Sequence, residues 1–260
     1  MRDVGNLQRN IRNPAHFLLE ARYSAHFLLE LLFPGRCLLC GEWLLVRGEP
    51  RPGLRHAVDA PLCKDCCEGL APISGNRCRR CGAPLVSELK ICTRCRESDF
   101  AFESNFPVFR YTGAAKILIS QYKFAGRVRL AGLFASLLAQ ALTSFHPGLP
   151  VVPVPPRPGR RNTDSVELIA RRLETLHGVT VLRLLRRSGG SPQKALDFMA
   201  RRENLRGRIR PSESTGGLPI PPEAIIIDDV FTTGATADAC ARALLELGCL
   251  AVSVVTLAVD

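Results

Sequence analysis

Aromatic residues are scarce in this 260-residue chain: they make up 6% of it, with one Trp and three Tyr. So thin a supply argues against an extended platform of rings for stacking bases. Lysine is nearly missing, at 5 of the 35 basic residues, so the net charge of +11 is carried by arginine. A basic balance points to anionic partners, and guanidiniums grip phosphates bidentately, although a GC-rich coding sequence gives the same bias. No apolar run reaches the ~18 residues that a membrane span needs, and the stretch near the start is interrupted by Glu20, Arg22 and Glu30. The sequence therefore predicts no membrane span, no cleavable export signal and a soluble, cytoplasmic protein. With 46% hydrophobic and 23% charged residues, disorder and fibrous classes are excluded.

Periodic apolar pattern is also missing between residues 36 and 98, which are rich in Cys, Arg, Gly and Pro. A segment without a hydrophobic core needs cross-links. Nine of the eleven cysteines lie between Cys37 and Cys95, and eight of them form C-x-x-C units: Cys37/Cys40, Cys63/Cys66, Cys78/Cys81 and Cys92/Cys95. Four such pairs predict two tetrahedral structural Zn²⁺ sites, closed to substrate because four thiolates leave no open position. Glycine follows the first and third units, as Gly41 and Gly82, where it permits the tight turn that aims backbone N–H groups at sulfur. The alternation of glycine-bearing and plain knuckles pairs Cys37/Cys40 with Cys63/Cys66 and Cys78/Cys81 with Cys92/Cys95; an interleaved pairing stays open. Cys67 is left over, the regular spacing favouring Cys66 as ligand. Eight thiolates on two Zn²⁺ lower the effective net charge from +11 to +7.

Three regions result: a helical segment at 1–35, a double zinc ribbon at 36–98, and an α/β domain at 99–260. In the first, Ala15 to Glu20 is nearly repeated ten positions later as Ala25 to Glu30. Ten residues rotate a helix by about −80°, so the copies do not share a face, and a single helix from Pro14 to about Phe33 is expected. A membrane-surface or partner helix is the alternative. In the third region, strands are expected at Phe106 to Tyr111, Leu149 to Val154, Val179 to Leu182, Ala224 to Ile227 and Ala251 to Leu257. Helices are expected at Ala114 to Phe124, Leu130 to Leu142, Val166 to Leu176 and Ala235 to Leu247, and Arg210 to Pro222 reads as a surface loop. Alternating strands and helices predict a parallel sheet covered on both faces.

One segment carries the most chemistry: Ile225, Ile226, Ile227, Asp228, Asp229, Val230, Phe231, Thr232, Thr233, Gly234, Ala235, Thr236. A buried strand runs into two adjacent carboxylates, and a Thr/Gly turn then opens a helix. At the carboxyl edge of a parallel sheet this makes a ligand site. Free N–H groups, threonine hydroxyls and the helix dipole suit a phosphate monoester, and neighbouring carboxylates suit two ribose hydroxyls.

These twelve residues resemble the signature of type I phosphoribosyltransferases, which bind 5-phosphoribosyl-1-pyrophosphate (PRPP). The resemblance implies that fold for the α/β domain, with Asp228 and Asp229 on the ribose hydroxyls, Thr232, Thr233, Gly234, Ala235 and Thr236 on the 5′-phosphate, and Val230 and Phe231 also among the PRPP-binding residues. The wider order is similar to that of the ComF family from about Phe33 onward. It runs from the double zinc module through Tyr122-Lys123-Phe124-Ala125-Gly126 and Val-Pro-Val-Pro at 152–155. Gln193, Leu196, Arg201 and Asn204 follow, and the signature comes last. That family is linked to DNA uptake in competent bacteria, which implies competence-machinery partners, and is often labelled an amidophosphoribosyltransferase. After the Val-Pro-Val-Pro strand the family usually carries Arg-Gly-Phe-Asn-Gln-Ser. Here Arg161-Asn162-Thr163-Asp164-Ser165-Val166 stands instead, retaining only the arginine.

If active, the site displaces pyrophosphate from C1 of the ribose, with Mg²⁺ bridging ligand oxygens. Lys123, Arg157 and Arg161 are the expected cations for the pyrophosphate, and Gln193, Arg201 and Asn204 shape a hood or tie down a helix. His16, His26, His56, His146 and His177 fall in no recognisable motif, and no general base is evident. Two other functions fit the same residues. One is a single-stranded nucleic-acid-binding accessory of DNA uptake, with Arg79, Arg80, Arg94 and Arg96 beside the knuckles gripping phosphates and PRPP as a regulatory ligand. The other is a PRPP-sensing regulator acting on protein partners.

Overall fold

A computed structural model describes residues 36–43, 62–70, 72–86, 89–158, 164–188, 207–213 and 219–260. The expected 14–33 helix, Arg161, Gln193, Arg201 and Asn204 lie outside them. The described residues fall into two compact units, one of 36–43 with 62–63 and one of the remainder.

In chain order the elements are α1 (Lys64–Glu68), α2 (Thr93–Arg96), β1 (Asn105–Arg110), α3 (Gly113–Phe124), α4 (Leu130–Phe145) and β2 (Val151–Pro153). Then come α5 (Ser165–His177), β3 (Leu185–Arg187), β4 (Ile209–Pro211), β5 (Glu223–Phe231), α6 (Ala235–Glu246) and β6 (Ala251–Val259). β1, β6, β5 and β2 form one parallel sheet in that order, and Val181 extends it by a single parallel bridge to Val151. β5 and β6 are apolar on both faces because both are covered. The even-numbered residues Ala224, Ile226, Val252 and Val254 join the core on the α6 side. The opposite face packs on the helices before β3, where α4 and α5 meet.

Two local expectations need correction. The strand at Val179 to Leu182 shrinks to the one bridge at Val181, and Arg210 and Pro211 belong to β4 rather than to a loop. β4 pairs antiparallel with β3 as a two-stranded ribbon beside the sheet. Three residues per strand give too short an apolar pattern to register as a period. Burial of Leu184, Leu185 and Ile209 in the α6-side core holds the ribbon instead.

The second pair of knuckles is built into this same core. Cys78, Cys81 and Cys95 are buried together with Ile73, Phe100, Phe102 and the α6 residues. They cover β1, an edge strand carrying Pro107, where an open row of backbone groups would otherwise be exposed. Ile73 N donates to Val108 O at 2.9 Å, Asn105 N donates to Arg80 O at 2.7 Å, and Asn105 Nδ2 donates to Cys81 O at 2.9 Å. Arg77 donates to the Pro107 and Ile73 carbonyls.

Candidate functional site

The cysteines assemble as the alternation of knuckles predicts. The thiols of Cys37, Cys40, Cys63 and Cys66 form one group and those of Cys78, Cys81, Cys92 and Cys95 another, each with its sulfurs within 4.8 Å of one another. Cys67 belongs to neither. Gly41 and Gly82 both take positive φ, 81° and 74°, and each donates its N–H to the carbonyl of the first cysteine of its knuckle at 2.9 Å. Cys92 N reaches Cys78 Sγ at 3.4 Å, an N–H···S contact of the kind that orients a thiolate ligand. Without a cation, four thiols this close compete for protons. The hydrogen bond between them draws Cys81 down to about 5 and pushes Cys95 up. A divalent metal relieves that competition by taking all four as thiolates, so the two four-cysteine clusters fit two zinc sites.

The second feature is a cleft of about 1060 Å³ at the carboxyl ends of β2 and β5. The chain leaves β2 toward Val181 on the outer side and leaves β5 toward β6 on the inner side, so this is a topological switch point. Asp228, Asp229, Val230, Thr232, Thr236, Lys123 and Arg157 line the cleft. Thr233, Gly234 and Ala235 form the turn into α6, with Ala235 N donating to Thr233 Oγ1 at 3.3 Å. Phe231 is buried against Phe100 and Phe102, with ring centroids 6.4 and 5.8 Å away. Gly234 has φ +79°, and a Cβ there would sit 2.7 Å from Phe231 Cζ and 2.8 Å from Phe100 Cε1. The turn is thereby clamped on an aromatic cluster contributed partly by the segment that follows the second zinc cluster.

The two carboxylates are adjacent in β5, line the same cleft and act on one another through their side chains. Asp229 faces α3 and α5. Lys123 Nζ lies 2.8 Å from its Oδ1, Val230 N donates to the same oxygen at 2.7 Å, and Ser165 Oγ donates to Oδ2 at 3.1 Å. Tyr122 Oη in turn donates to Ser165 O at 2.7 Å, fixing the start of α5. Burial pushes the carboxyl of Asp228 well above the usual range, and the charge of Asp229 adds to the push while Lys123 opposes it. Asp229 thus has a cation and a hydroxyl beside its backbone donor, whereas Asp228 has only the N–H of Asp229, at 2.8 Å from its Oδ1, and is held poorly ionised.

Sequence reading did not single out Ser165, Arg129, Arg172 or Arg187, which also line the cleft. The only signal for Ser165 was its place after Asp164. Asp164 caps α5, its Oδ1 accepting from Val166 N at 3.0 Å and Glu167 N at 3.3 Å. Burial, opposed by these two bonds, raises its carboxyl. The acidic residue in the altered loop therefore has a structural role in starting the helix that carries Ser165.

Fold and site together define a zinc-ribbon protein whose parallel α/β domain carries a Thr/Gly turn beside two adjacent carboxylates. A family model described as a double zinc ribbon domain matches residues 28–96. The chain is 30% identical over 221 residues to "Competence protein ComFC" of Streptococcus pneumoniae, covering 82% of this chain and 94% of that one. It is 29% identical over 227 residues to "Competence protein ComFC" of Bacillus subtilis, covering 82% and 89%. It is also 29% identical over 238 residues to "DNA utilization protein YhgH" of Salmonella typhimurium, covering 86% and 96%. The chain belongs to the ComF family. Among its described residues no helix is long and apolar enough to cross a membrane.

Proposed function

We propose that the cleft binds PRPP with Mg²⁺ and transfers the phosphoribosyl group to an acceptor with release of pyrophosphate, in a protein serving DNA uptake. The placement of Asp228 and Asp229 beside the Thr232 to Thr236 turn carries this reading. In it, the turn and the first N–H groups of α6 hold the 5′-phosphate. Asp229, already fixed by Lys123 and Ser165, accepts from one ribose hydroxyl. Asp228 accepts from the other once the ligand's cation favours its ionised form. The acceptor's nucleophilic atom forms a bond to C1 as the C1–O bond to pyrophosphate breaks, and the electron pair leaves with pyrophosphate. Mg²⁺ would supply neutralisation of the leaving group. The residues position and stabilise; none forms a covalent intermediate.

The link to DNA uptake rests on the relatives, whose names describe competence and DNA utilisation. Isothermal titration of the zinc-loaded protein with PRPP and Mg²⁺ tests the ligand, with Asp228→Ala/Asp229→Ala as control. The expected result is binding that the double substitution abolishes. A folded, zinc-loaded protein that does not bind PRPP overturns the reading, and salt-dependent binding to single-stranded DNA would then support the nucleic-acid-binding alternative.

A further inference from the structure

Strand geometry separates two neighbouring arginines on β3. Successive side chains of a strand point to opposite faces, and Arg186 turns outward, where it meets Glu213 at 2.9 Å and the Pro211 carbonyl at 3.2 Å. Arg187 turns inward, half-buried, and lines the cleft with Arg157 and Asp228. The ribbon that carries it is fixed by Leu184, Leu185 and Ile209 in the α6-side core, so the guanidinium sits on a rigid support.

Other arginines near these elements have partners: Arg183 has Glu167 and Glu174, Arg171 has Glu167, and Arg242 has Asp238. Arg187 has no hydrogen bond or ion pair from its side chain among the described residues. The titratable groups around it are Arg157 after β2, Arg208 before β4, Asp228 on β5 and Cys240 on α6, whose thiol burial keeps protonated and uncharged. Burial first and then the two like charges oppose its protonated form, while Asp228 favours it. Asp228 is itself held poorly ionised, so this side of the cleft has a cationic surplus. A half-desolvated guanidinium is costly to hold, and an anion bound in the cleft offsets the cost.

The phosphate turn already supplies one anion site, and Lys123 is engaged by Asp229. A second pole built of guanidiniums fits a second and more highly charged group, since the planar fork donates to two oxygens at once. Resting on the ligand class proposed above, we infer that Arg187 receives the diphosphate at C1 of a phosphoribosyl diphosphate and makes the cleft prefer that ligand to ribose 5-phosphate.

Titrations of the zinc-loaded full chain with PRPP, ribose 5-phosphate and inorganic pyrophosphate, each with Mg²⁺, test this in wild type, Arg187→Gln and Arg187→Lys. Arg187→Gln is expected to weaken PRPP and pyrophosphate at least tenfold and to leave ribose 5-phosphate within twofold. Arg187→Lys, which keeps the charge and loses the fork, is expected to fall between. An equal loss for ribose 5-phosphate, or no loss for PRPP, overturns the assignment. In the wild type, pyrophosphate should compete with PRPP and leave bound ribose 5-phosphate in place. Displacement of ribose 5-phosphate overturns the assignment even if the variants fail to fold. If a folded wild type binds neither sugar phosphate, the ligand reading fails. Pyrophosphate binding that disappears in Arg187→Gln would still support Arg187 as a diphosphate receptor.

Discussion

The two four-cysteine clusters have the same motif and the same glycine knuckle, yet they occupy different environments. In the first, Cys40 is exposed and Cys63 and Cys66 are half-buried, leaving Cys37 as the one buried thiol. In the second, Cys78, Cys81 and Cys95 are buried at 2%, 0% and 5% exposure and share a core with α6 and the β3–β4 ribbon. Asn105 shows how closely that core is knit. It is buried at the start of β1, donates to Cys81 O, and its Oδ1 accepts from Thr256 Oγ1 at 3.3 Å. A metal site can hold a small loop together or form part of a domain's interior, and the ligand spacing is the same in both cases.

The sharpest way to break this comparison is to remove one ligand from each cluster. Cys81→Ser is expected to cost about 4–5 kcal/mol or more, because it removes a metal and leaves buried polar groups inside the α/β core. Cys40→Ser should also lower the zinc content from two to one while leaving the melting of the α/β domain nearly unchanged. Metal analysis with thermal unfolding followed by circular dichroism decides, and equal shifts in Tm would refute the distinction.

The glycines sharpen it further. Gly41→Ala meets no atom within 4 Å and pays only for its positive φ, about 1–2 kcal/mol. Gly82→Ala would place a Cβ 2.1 Å from Pro107 Cδ and 2.6 Å from Asn105 O, adding about 1–3 kcal/mol of overpacking. Denaturant midpoints for the two variants should differ in that order.

Asp228 extends the contrast to the cleft. Its carboxyl is raised by burial, so the folded state binds its proton more tightly than the unfolded chain does. That contribution to stability is present below the unfolded carboxylate pKa and is lost as pH rises through the raised one. Asp228→Asn is expected to abolish this fall and to stabilise the ligand-free protein at neutral pH, read from urea unfolding across pH. A variant less stable than wild type at neutral pH would show that the carboxylate is better accommodated than its surroundings indicate. The smallest effect belongs to Lys64, whose exposed contact with Glu68 spans 3.9 Å. Lys64→Ala should stay within about 0.5 kcal/mol in the same assay.

Much of the site was legible because its parts are local. The C-x-x-C spacing and the glycine that follows it act within five residues, so the knuckle alternation identified the grouping later found. The run from Ile225 to Thr236 states a buried strand, a turn and a helix start in consecutive residues, though β5 runs on to Phe231, past the expected end at Ile227. Less legible were features made by residues far apart. The placement of Ser165 against Asp229 spans 64 positions, and nothing in the text around either residue announces it. β3 and β4 were missed because three-residue strands carry too little pattern to be read against a loop.

By itself the sequence determined the alternation of strands and helices, the two thiol sets and the turn at the mouth of the cleft. These depend on periodicity and on backbone preferences over a few residues. Only the tertiary structure decided which cysteine cluster is interior, which of two adjacent carboxylates is paired with a lysine, and which of two adjacent arginines faces the cleft. Burial and the local dielectric arise from what the chain packs against, and charge has its chemical meaning only once that environment is set.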